Sequence, residues 1–172
     1  MAAMTKVAKL HPTAELSPTK AEIAAKYAHI DEIIGSYRAV DPDDEVGIEV
    51  LLGHDYAGNI VQFPVTYRAA DNATNKPLCA MDHSVLGKRS VARAEDDPVA
   101  ITQWVHLVQN EETSATYSTG PQRFHAYGTG GLPGEIEFLP TLTVTPPEAG
   151  QLRVVDSETG TDLSLIHISE RA

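Results

Sequence analysis

The sequence contains a single cysteine, few basic residues and no long apolar run, and each of these shortages excludes a class of protein. Cys79 alone can form neither an internal disulfide nor a zinc site with several sulfur ligands. We expect a buried, unreactive thiol, because free cysteines are usually buried. No segment has the continuous apolar stretch of a signal peptide or a membrane span, so a cytoplasmic protein is expected.

Acidic residues outnumber basic ones, with 24 Asp and Glu against 13 Lys and Arg, and the net charge of the 172-residue chain is −11. A surface of this sign repels phosphate backbones and anionic lipid headgroups. We therefore expect neither a nucleic acid nor a membrane as a partner. The chain length and the 42% hydrophobic content are sufficient for one domain with its own core.

The clearest secondary-structure signal is the segment 46–68, which predicts two strands joined by a polar turn. Apolar side chains alternate with polar ones or proline in its second strand: Val61, Phe63, Val65 and Tyr67 against Gln62, Pro64, Thr66 and Arg68. This period of two is typical of a strand with one buried face and one wetter face. Asp55, Gly58 and Asn59 favour a turn between the two strands.

Two helices carry recognisable start signals. Thr19 followed by Glu22 is a capping box, which predicts a helix over residues 16–27. Asp97 before a proline predicts the start of a second helix, which should end near Asn110. The buried stripe expected on this second helix consists of Ile101, Trp104, Val105 and Val108.

Short apolar segments between polar ones predict the remaining strands, at 33–40, 78–82, 89–94, 135–145 and 151–156. Residues 114–134 are polar and rich in glycine, so we expect a loop there. The order of helix, strands, helix and strands predicts an α+β fold. In this fold an antiparallel sheet is packed by two helices, which cover one face of the sheet.

The two ends of the chain are expected to differ from its middle. We predict a flexible lead-in over residues 1–13 and a single domain over 14–162, with a glycine-rich loop at about 118–134. The segment LSLIHIS at 163–169 resembles the in-frame translation of a transposon mosaic-end adapter from a sequencing library, so residues 163–172 are interpreted as a non-native tail. The alternative is an ordinary closing strand, and resequencing the locus with a different library chemistry would decide between them.

Asp82, His83 and Ser84 suggest a catalytic relay, but adjacent residues of an extended chain point to opposite faces. We expect His83 to hold a turn through its ring nitrogens.

The glycine-rich run 128–134 lacks the lysine of a phosphate-binding loop and has Pro133 where a dinucleotide fingerprint requires glycine. We interpret this run as a mobile linker.

The acidic residues Asp41, Asp43 and Glu45 resemble the opening of a calcium loop. Val46 replaces the required glycine and Leu52 replaces the closing glutamate, so a solvated turn is expected instead. The sequence therefore predicts no catalytic residue, no cofactor site and no metal site.

Several segments together resemble the N-terminal cap domain of maltokinases and related sugar kinases. The matching segments lie within residues 14–115 and are AELSPTK at 14–20, VGIEV at 46–50, FPVTYR at 63–68, MDHSVLGKR at 81–89 and DDPV at 96–99. The resemblance implies a cystatin-like arrangement of a helix against a curved antiparallel sheet, which precedes two kinase lobes. The ATP site and catalytic loop of those lobes have no counterpart here, so no catalytic residue is carried over.

The resemblance implies a non-catalytic protein with a binding or regulatory role in α-glucan or trehalose metabolism. We expect a kinase-like protein chain as its partner, contacted by an exposed surface around Tyr67, Arg68, His83 and Arg89. Two alternatives remain open. One is the cap subunit of a split ATP-dependent sugar kinase, and the other is a small hydrolase that uses His83.

Overall fold

The computed structural model describes residues 6–131 and 135–169, and within these ranges the protein has two α-helices and twelve β-strands. The helices are α1 (Lys20–Ala28) and α2 (Pro98–Gln109). The strands are β1 (Val7–Ala8), β2 (Leu16–Ser17), β3 (Ile30–Val40), β4 (Gly47–Asp55), β5 (Ile60–Ala69), β6 (Cys79–His83), β7 (Gly87–Arg93), β8 (Thr116–Tyr117), β9 (Phe124–Gly128), β10 (Glu135–Val144), β11 (Gln151–Asp156) and β12 (Asp162–Ser169). The predicted α+β class is confirmed.

Neither α1, with nine residues, nor α2, with twelve, meets the requirements of a membrane span, and the described ranges hold no other candidate.

The predicted hairpin is confirmed as β4 and β5, and it lies at the centre of a large antiparallel sheet. Strand β5 pairs with β4 along one edge, while its other edge is shared by β7 and β10. The strand order is β2-β6-β7-β5-β10-β12-β11-β9, and β3 extends the sheet beyond β4. In the hairpin turn, the Asp55 carboxylate accepts hydrogen bonds from the N–H groups of Ala57 and Asn59.

Both faces of the central hairpin are buried, so the prediction of one wetter face is wrong. Gln62 and Thr66 are only 7% and 0% exposed. The reason is that the helices cover opposite faces of the sheet, not one face as expected. Leu51 and Phe63 pack with α1, whereas Val50 packs with α2 on the other side.

The core under α1 forms around Ile23 and Ala24, the helical residues that face the sheet. The capping box is confirmed, because Thr19 and Glu22 exchange two hydrogen bonds of 3.1 Å. The helix begins at Lys20, four residues later than predicted, since Leu16–Ser17 pairs with β6 as an edge strand. Cys79 is half-buried at the margin of this core, and burial raises the pKa of its thiol.

The core under α2 is larger and joins both halves of the chain. Trp104 is fully buried, as predicted, and its ring contacts Tyr37 edge to face at 5.4 Å. The helix buries Ala100, Trp104, Leu107 and Val108, whereas Ile101 and Val105 of the predicted stripe are only half-buried. The buried stripe is rotated because strands β9 and β11 pack against this side of α2.

The segment expected to be a loop contains strand β9, whose Phe124 and Ala126 are buried in the α2 core. The run from Gly128 to Gly131 is packed rather than a mobile linker. The N–H of Gly130 donates to the carbonyl of Val108 at 2.8 Å. A Cβ on Gly128 would collide with the backbone of Leu107 and Val108 at the end of α2. Residues 132–134 of the predicted loop lie outside the described ranges.

We expect the Gly128→Ala substitution to lower the free energy of unfolding by about 1–3 kcal/mol, the usual cost of overpacking. The atoms that meet the new methyl group belong to backbone, so they cannot move aside as a flexible side chain would. Urea denaturation would measure the change. In a mobile loop the same substitution would stabilise the protein by about 0.4–1 kcal/mol, through the entropy of the unfolded chain, and that result would contradict the packing described here.

Strand β12 lies between β10 and β11 in the sheet and pairs with both. An ordinary closing strand is the sequence-based alternative to a non-native tail, and β12 has the structure of such a strand. The pairing of β12 does not show whether residues 163–172 are native. Their interpretation as a translated sequencing adapter stays a prediction, which resequencing of the locus would test. Residues 170–172 lie outside the described ranges.

Candidate functional site: a cavity beside the first helix

A cavity of about 760 Å³ lies on the α1 face of the sheet, beside the area that α1 covers. Four long polar side chains from β3, β4, β5 and β7 share this face by strand register and line the cavity: Arg38, Glu49, Tyr67 and Arg89. Lys20, at the start of α1, contributes one wall. The volume falls in the range of roughly 300–1,000 Å³ that is typical of small-molecule sites.

The N-terminal segment, residues 6–14, covers one side of the cavity. Its Val7–Ala8 strand pairs in parallel with Thr116–Tyr117, and the N–H of Leu10 donates to Ser118 Oγ at 2.8 Å. The ring of His11 contacts the ring of His83 edge to face, with centroids 5.5 Å apart. These contacts connect the described part of the predicted lead-in to β8 and to His83, and its flexibility stays a prediction.

A buried carboxylate with three polar partners lies at the centre of the cavity lining. Glu49 is 3% exposed, and its Oε1 accepts hydrogen bonds from Lys20 Nζ at 2.8 Å and from the Tyr67 hydroxyl at 2.7 Å. Its Oε2 accepts from Arg38 Nε at 3.0 Å. The two acceptor oxygens are thus occupied by two cations and one phenol, so the carboxylate is held in one position.

Burial by itself would raise the pKa of Glu49. The charges of Arg38 and Lys20, together with the hydrogen bonds from Lys20 and Tyr67, outweigh this effect and hold the pKa well below its usual range. Glu49 is consequently ionised at neutral pH. Burial, and next the charge of Glu49, raise the pKa of Tyr67 well above its usual range, so this phenol stays a hydrogen-bond donor.

His83 holds the turn between β6 and β7, as predicted. Its Nδ1 accepts hydrogen bonds from the N–H groups of Val85 at 3.1 Å and Leu86 at 2.9 Å. Burial and the nearby charges of His11, Arg89 and Lys20 lower the pKa of His83. The ring is therefore neutral at pH 7, with its proton on Nε2. Ser84 Oγ accepts from the N–H of Glu15 at 2.8 Å, which anchors the same turn and does not form a relay with His83.

The four residues predicted to form one exposed surface are divided between two faces of the sheet. Tyr67, His83 and Arg89 line the cavity, and Tyr67 is only 8% exposed. Arg68 lies on the α2 face, where its Nη2 and Nε donate to the two carboxylate oxygens of Asp97 at 2.8 and 2.9 Å. Adjacent residues of strand β5 point to opposite sides, so the side chains of Arg68 and Tyr67 do not lie on one surface.

The acidic turn after β3 is not simply solvated, because Asp41 is only 6% exposed. Its carboxylate accepts hydrogen bonds of 3.0 Å from the N–H groups of Asp43, Glu45 and Val46. The carboxylate thus caps its own turn. Among the described residues, no group of three or more His, Cys, Asp or Glu side chains could hold a metal ion.

Reasoning from the sequence did not identify Lys20, Arg38 or Glu49 as site residues. The available signal was Glu49 itself, a lone carboxylate in the strand sequence GIEVLLG with apolar neighbours on both sides. A charge buried in such a strand requires partners of the opposite sign. Those partners come from α1 and β3, at sequence distances that no local pattern connects.

Comparison with known protein families gives one match, over a segment that contributes part of the cavity lining. Residues 19–97 match the family model of the maltokinase N-terminal cap domain. This range begins at the N-cap of α1 and ends at the N-cap of α2, and it contains the charged cavity residues Lys20, Arg38, Glu49 and Arg89. No curated protein and no solved structure gives a significant match to the chain.

Proposed function

Since residues 19–97 are a maltokinase N-terminal cap domain, we propose that the protein is a non-catalytic binding or regulatory module linked to α-glucan or trehalose metabolism. Its proposed partner is a kinase-like protein chain, because caps of this family precede kinase lobes. We also propose that α1 against the β3–β5 strands corresponds to the cystatin-like arrangement of that family. A rigid, exposed apolar turn within the cap domain is the observation that carries the proposed contact.

The exposed turn connects β6 and β7 and presents two neighbouring apolar side chains. Val85 is 56% exposed and Leu86 is 49% exposed. The His83 ring fixes their backbone N–H groups, and Ser84 ties the turn to Glu15. Exposed apolar groups next to each other favour a protein contact, and a turn that is already ordered loses less conformational entropy on binding.

The polar side chains next to this turn support a binding role over a chemical one. The Nδ1 atom of His83 already accepts two backbone hydrogen bonds, and Ser84 Oγ accepts a third. A hydrolase that used His83 as its general base would have to break the turn to free this nitrogen. The split-kinase alternative predicts the same protein contact, but in that case the complex would phosphorylate a sugar that the partner alone would not.

We expect the tagged protein to recover a kinase-like chain from extracts of its source organism, and the double substitution Val85→Ser with Leu86→Ser to reduce this recovery at least about tenfold. The loss of two apolar contacts, each about 1–2 kcal/mol, gives this estimate. Affinity purification followed by mass spectrometry measures the recovery. Tyr56→Ser is the matched control, since Tyr56 is 72% exposed on another turn of the same domain.

Equal recovery by the double variant and the Tyr56→Ser control, with both proteins folded, would overturn the proposed contact. Arg68 is not a suitable test position. Arg68→Glu would place a carboxylate directly against Asp97, so a loss of recovery would report misfolding. An assay of sugar phosphorylation by the purified complex and by the partner alone would separate the regulatory proposal from the split-kinase alternative.

A further inference from the structure

We propose that the cavity beside α1 is a binding site for a small hydroxylated molecule that carries a phosphate or a carboxylate group. This site adjoins the exposed turn, because His83 and Leu86 also line the cavity, but it does not require the protein contact proposed for Val85 and Leu86. It depends on the charges, the hydrogen-bond donors and the volume of the cavity.

The interior of the cavity carries an excess of positive charge. Lys20, Arg38 and Arg89, none of which is exposed, line it together with two buried carboxylates, Glu49 and Asp41. One cation is sufficient to neutralise Glu49, yet both Lys20 and Arg38 contact it, and Arg89 is additional. The side chain of Arg38 is only 16% exposed, so its charge is weakly screened by water. A concave site with an excess of one sign of charge among its unexposed groups concentrates ions of the opposite sign, here within a protein of net charge −11.

Besides Glu49, the carboxylates of Asp41, Asp44 and Glu45 line the cavity, and they do not cancel its excess of positive charge. Asp41 is occupied by the backbone N–H groups of its own turn. Glu45 also lines the cavity and is exposed to solvent. Asp44 is exposed to solvent at the rim, where Lys9 is also exposed.

The two arginines keep donors that an oxyanion could use. Arg38 donates through Nε to Glu49, and among the described residues neither of its Nη groups has a hydrogen-bond partner. Arg89 donates through Nη2 to the carbonyl of Tyr67 at 3.2 Å, and in the described part of the chain its Nε and Nη1 groups have none. A guanidinium group matches the spacing of two phosphate or carboxylate oxygens.

The remaining lining fits the non-ionic part of such a ligand. The hydroxyl groups of Ser36 and Tyr117 line the cavity and are hydrogen-bonded to each other at 2.5 Å, which leaves one hydroxyl proton and further lone pairs for the hydroxyl groups of a ligand. Leu10, Leu16 and Met81 supply apolar walls. A volume of about 760 Å³ exceeds what a phosphate ion fills and can hold a molecule of sugar size.

The test is a titration of the full-length protein with inorganic phosphate, glucose 6-phosphate, gluconate and uncharged glucose. Amide chemical shifts would be followed by NMR, with sodium chloride keeping the ionic strength constant. We expect saturable binding of at least one of the three anions, and affinity for glucose at least about tenfold weaker, as for the loss of one charged hydrogen bond. Comparing the affinities for glucose 6-phosphate and gluconate would show whether the site prefers a phosphate or a carboxylate group. If no anion binds saturably, or if glucose binds as tightly, the proposal is wrong.

Two neighbouring substitutions in β7 locate the site. Arg89→Gln and Lys88→Gln remove the same charge, but adjacent strand residues point to opposite faces and Lys88 does not line the cavity. We expect Arg89→Gln to weaken anion binding about tenfold and Lys88→Gln to weaken it less than about twofold. Equal weakening by both would mean that anions respond only to net charge, and this result would overturn the proposed site. No partner protein is needed for these measurements.

Discussion

Replacing Asp97 with alanine should lower the free energy of unfolding by about 3–5 kcal/mol, the usual cost of removing one partner from a buried ion pair. Asp97 is fully buried, and both of its carboxylate oxygens accept hydrogen bonds from Arg68. One of these oxygens also caps α2 by accepting from the N–H of Val99 at 3.0 Å. The substitution would leave the guanidinium group of Arg68 unpaired and remove the helix cap in one step.

Urea denaturation of Asp97→Ala and of the neighbouring Asp96→Ala provides the comparison. The Asp96 side chain is 25% exposed and lies 4.0 Å from Lys76 Nζ, so its removal should cost less than about 1 kcal/mol. Asp97→Asn should fall between the two, because asparagine retains the cap but loses the charge. If Asp97→Ala and Asp96→Ala unfold at the same urea concentration, the ion pair does not hold α2 against the sheet.

Replacing Glu49 with glutamine should cost about 3 kcal/mol at neutral pH, because Lys20 and Arg38 would then face each other without an anion between them. The same substitution would leave the cavity more positive. If the proposed anion site is correct, the folded Glu49→Gln protein should bind anions more tightly while being less stable. Denaturation and the NMR titration would measure these two changes, and their opposite directions separate charge removal from general damage.

The stability difference between the wild type and Glu49→Gln should depend on pH. The folded-state pKa of Glu49 lies below its usual value of 4.5, because the charges of Arg38 and Lys20 outweigh burial. The stabilisation by ionised Glu49 is therefore fully present above pH 4.5 and is lost as the pH falls further. Below that point the wild type should lose about 1.4 kcal/mol per pH unit relative to the variant. Urea denaturation between pH 7 and pH 3 measures the difference, and a constant difference would contradict the assigned role.

Glu49 and Asp97 are buried carboxylates on opposite faces of the central hairpin, Glu49 within β4 and Asp97 at the N-cap of α2. Tyr67 donates to Glu49 on the α1 face, and the next residue, Arg68, pairs with Asp97 on the α2 face. The segment FPVTYR therefore contributes to both buried charge clusters by simple strand alternation. This arrangement explains why a single exposed surface that includes both Tyr67 and Arg68 does not form.

The sequence by itself determined the features that depend on residues within about four positions of each other. The Thr19–Glu22 capping box, the Asp97 cap of α2 and the Asp55 turn form from neighbours, so their residue types predict them. The alternation in β5 was also visible, because it reports side-chain direction along one strand. The cap-domain resemblance rested on the same segments, and the match over residues 19–97 confirmed it.

Only the tertiary structure decided which side chains are buried and which meet. Glu49 became a buried charge because β3, β5 and α1 surround it, and strand β9 formed because Phe124 fits the core under α2. The cavity combines residues from Val7 to Tyr117, which are brought together by strand pairing and by the packing of α1 against the sheet. The physical reason is that burial and charge pairing depend on contacts between distant segments, whose free energies exceed the local preferences of the residues involved.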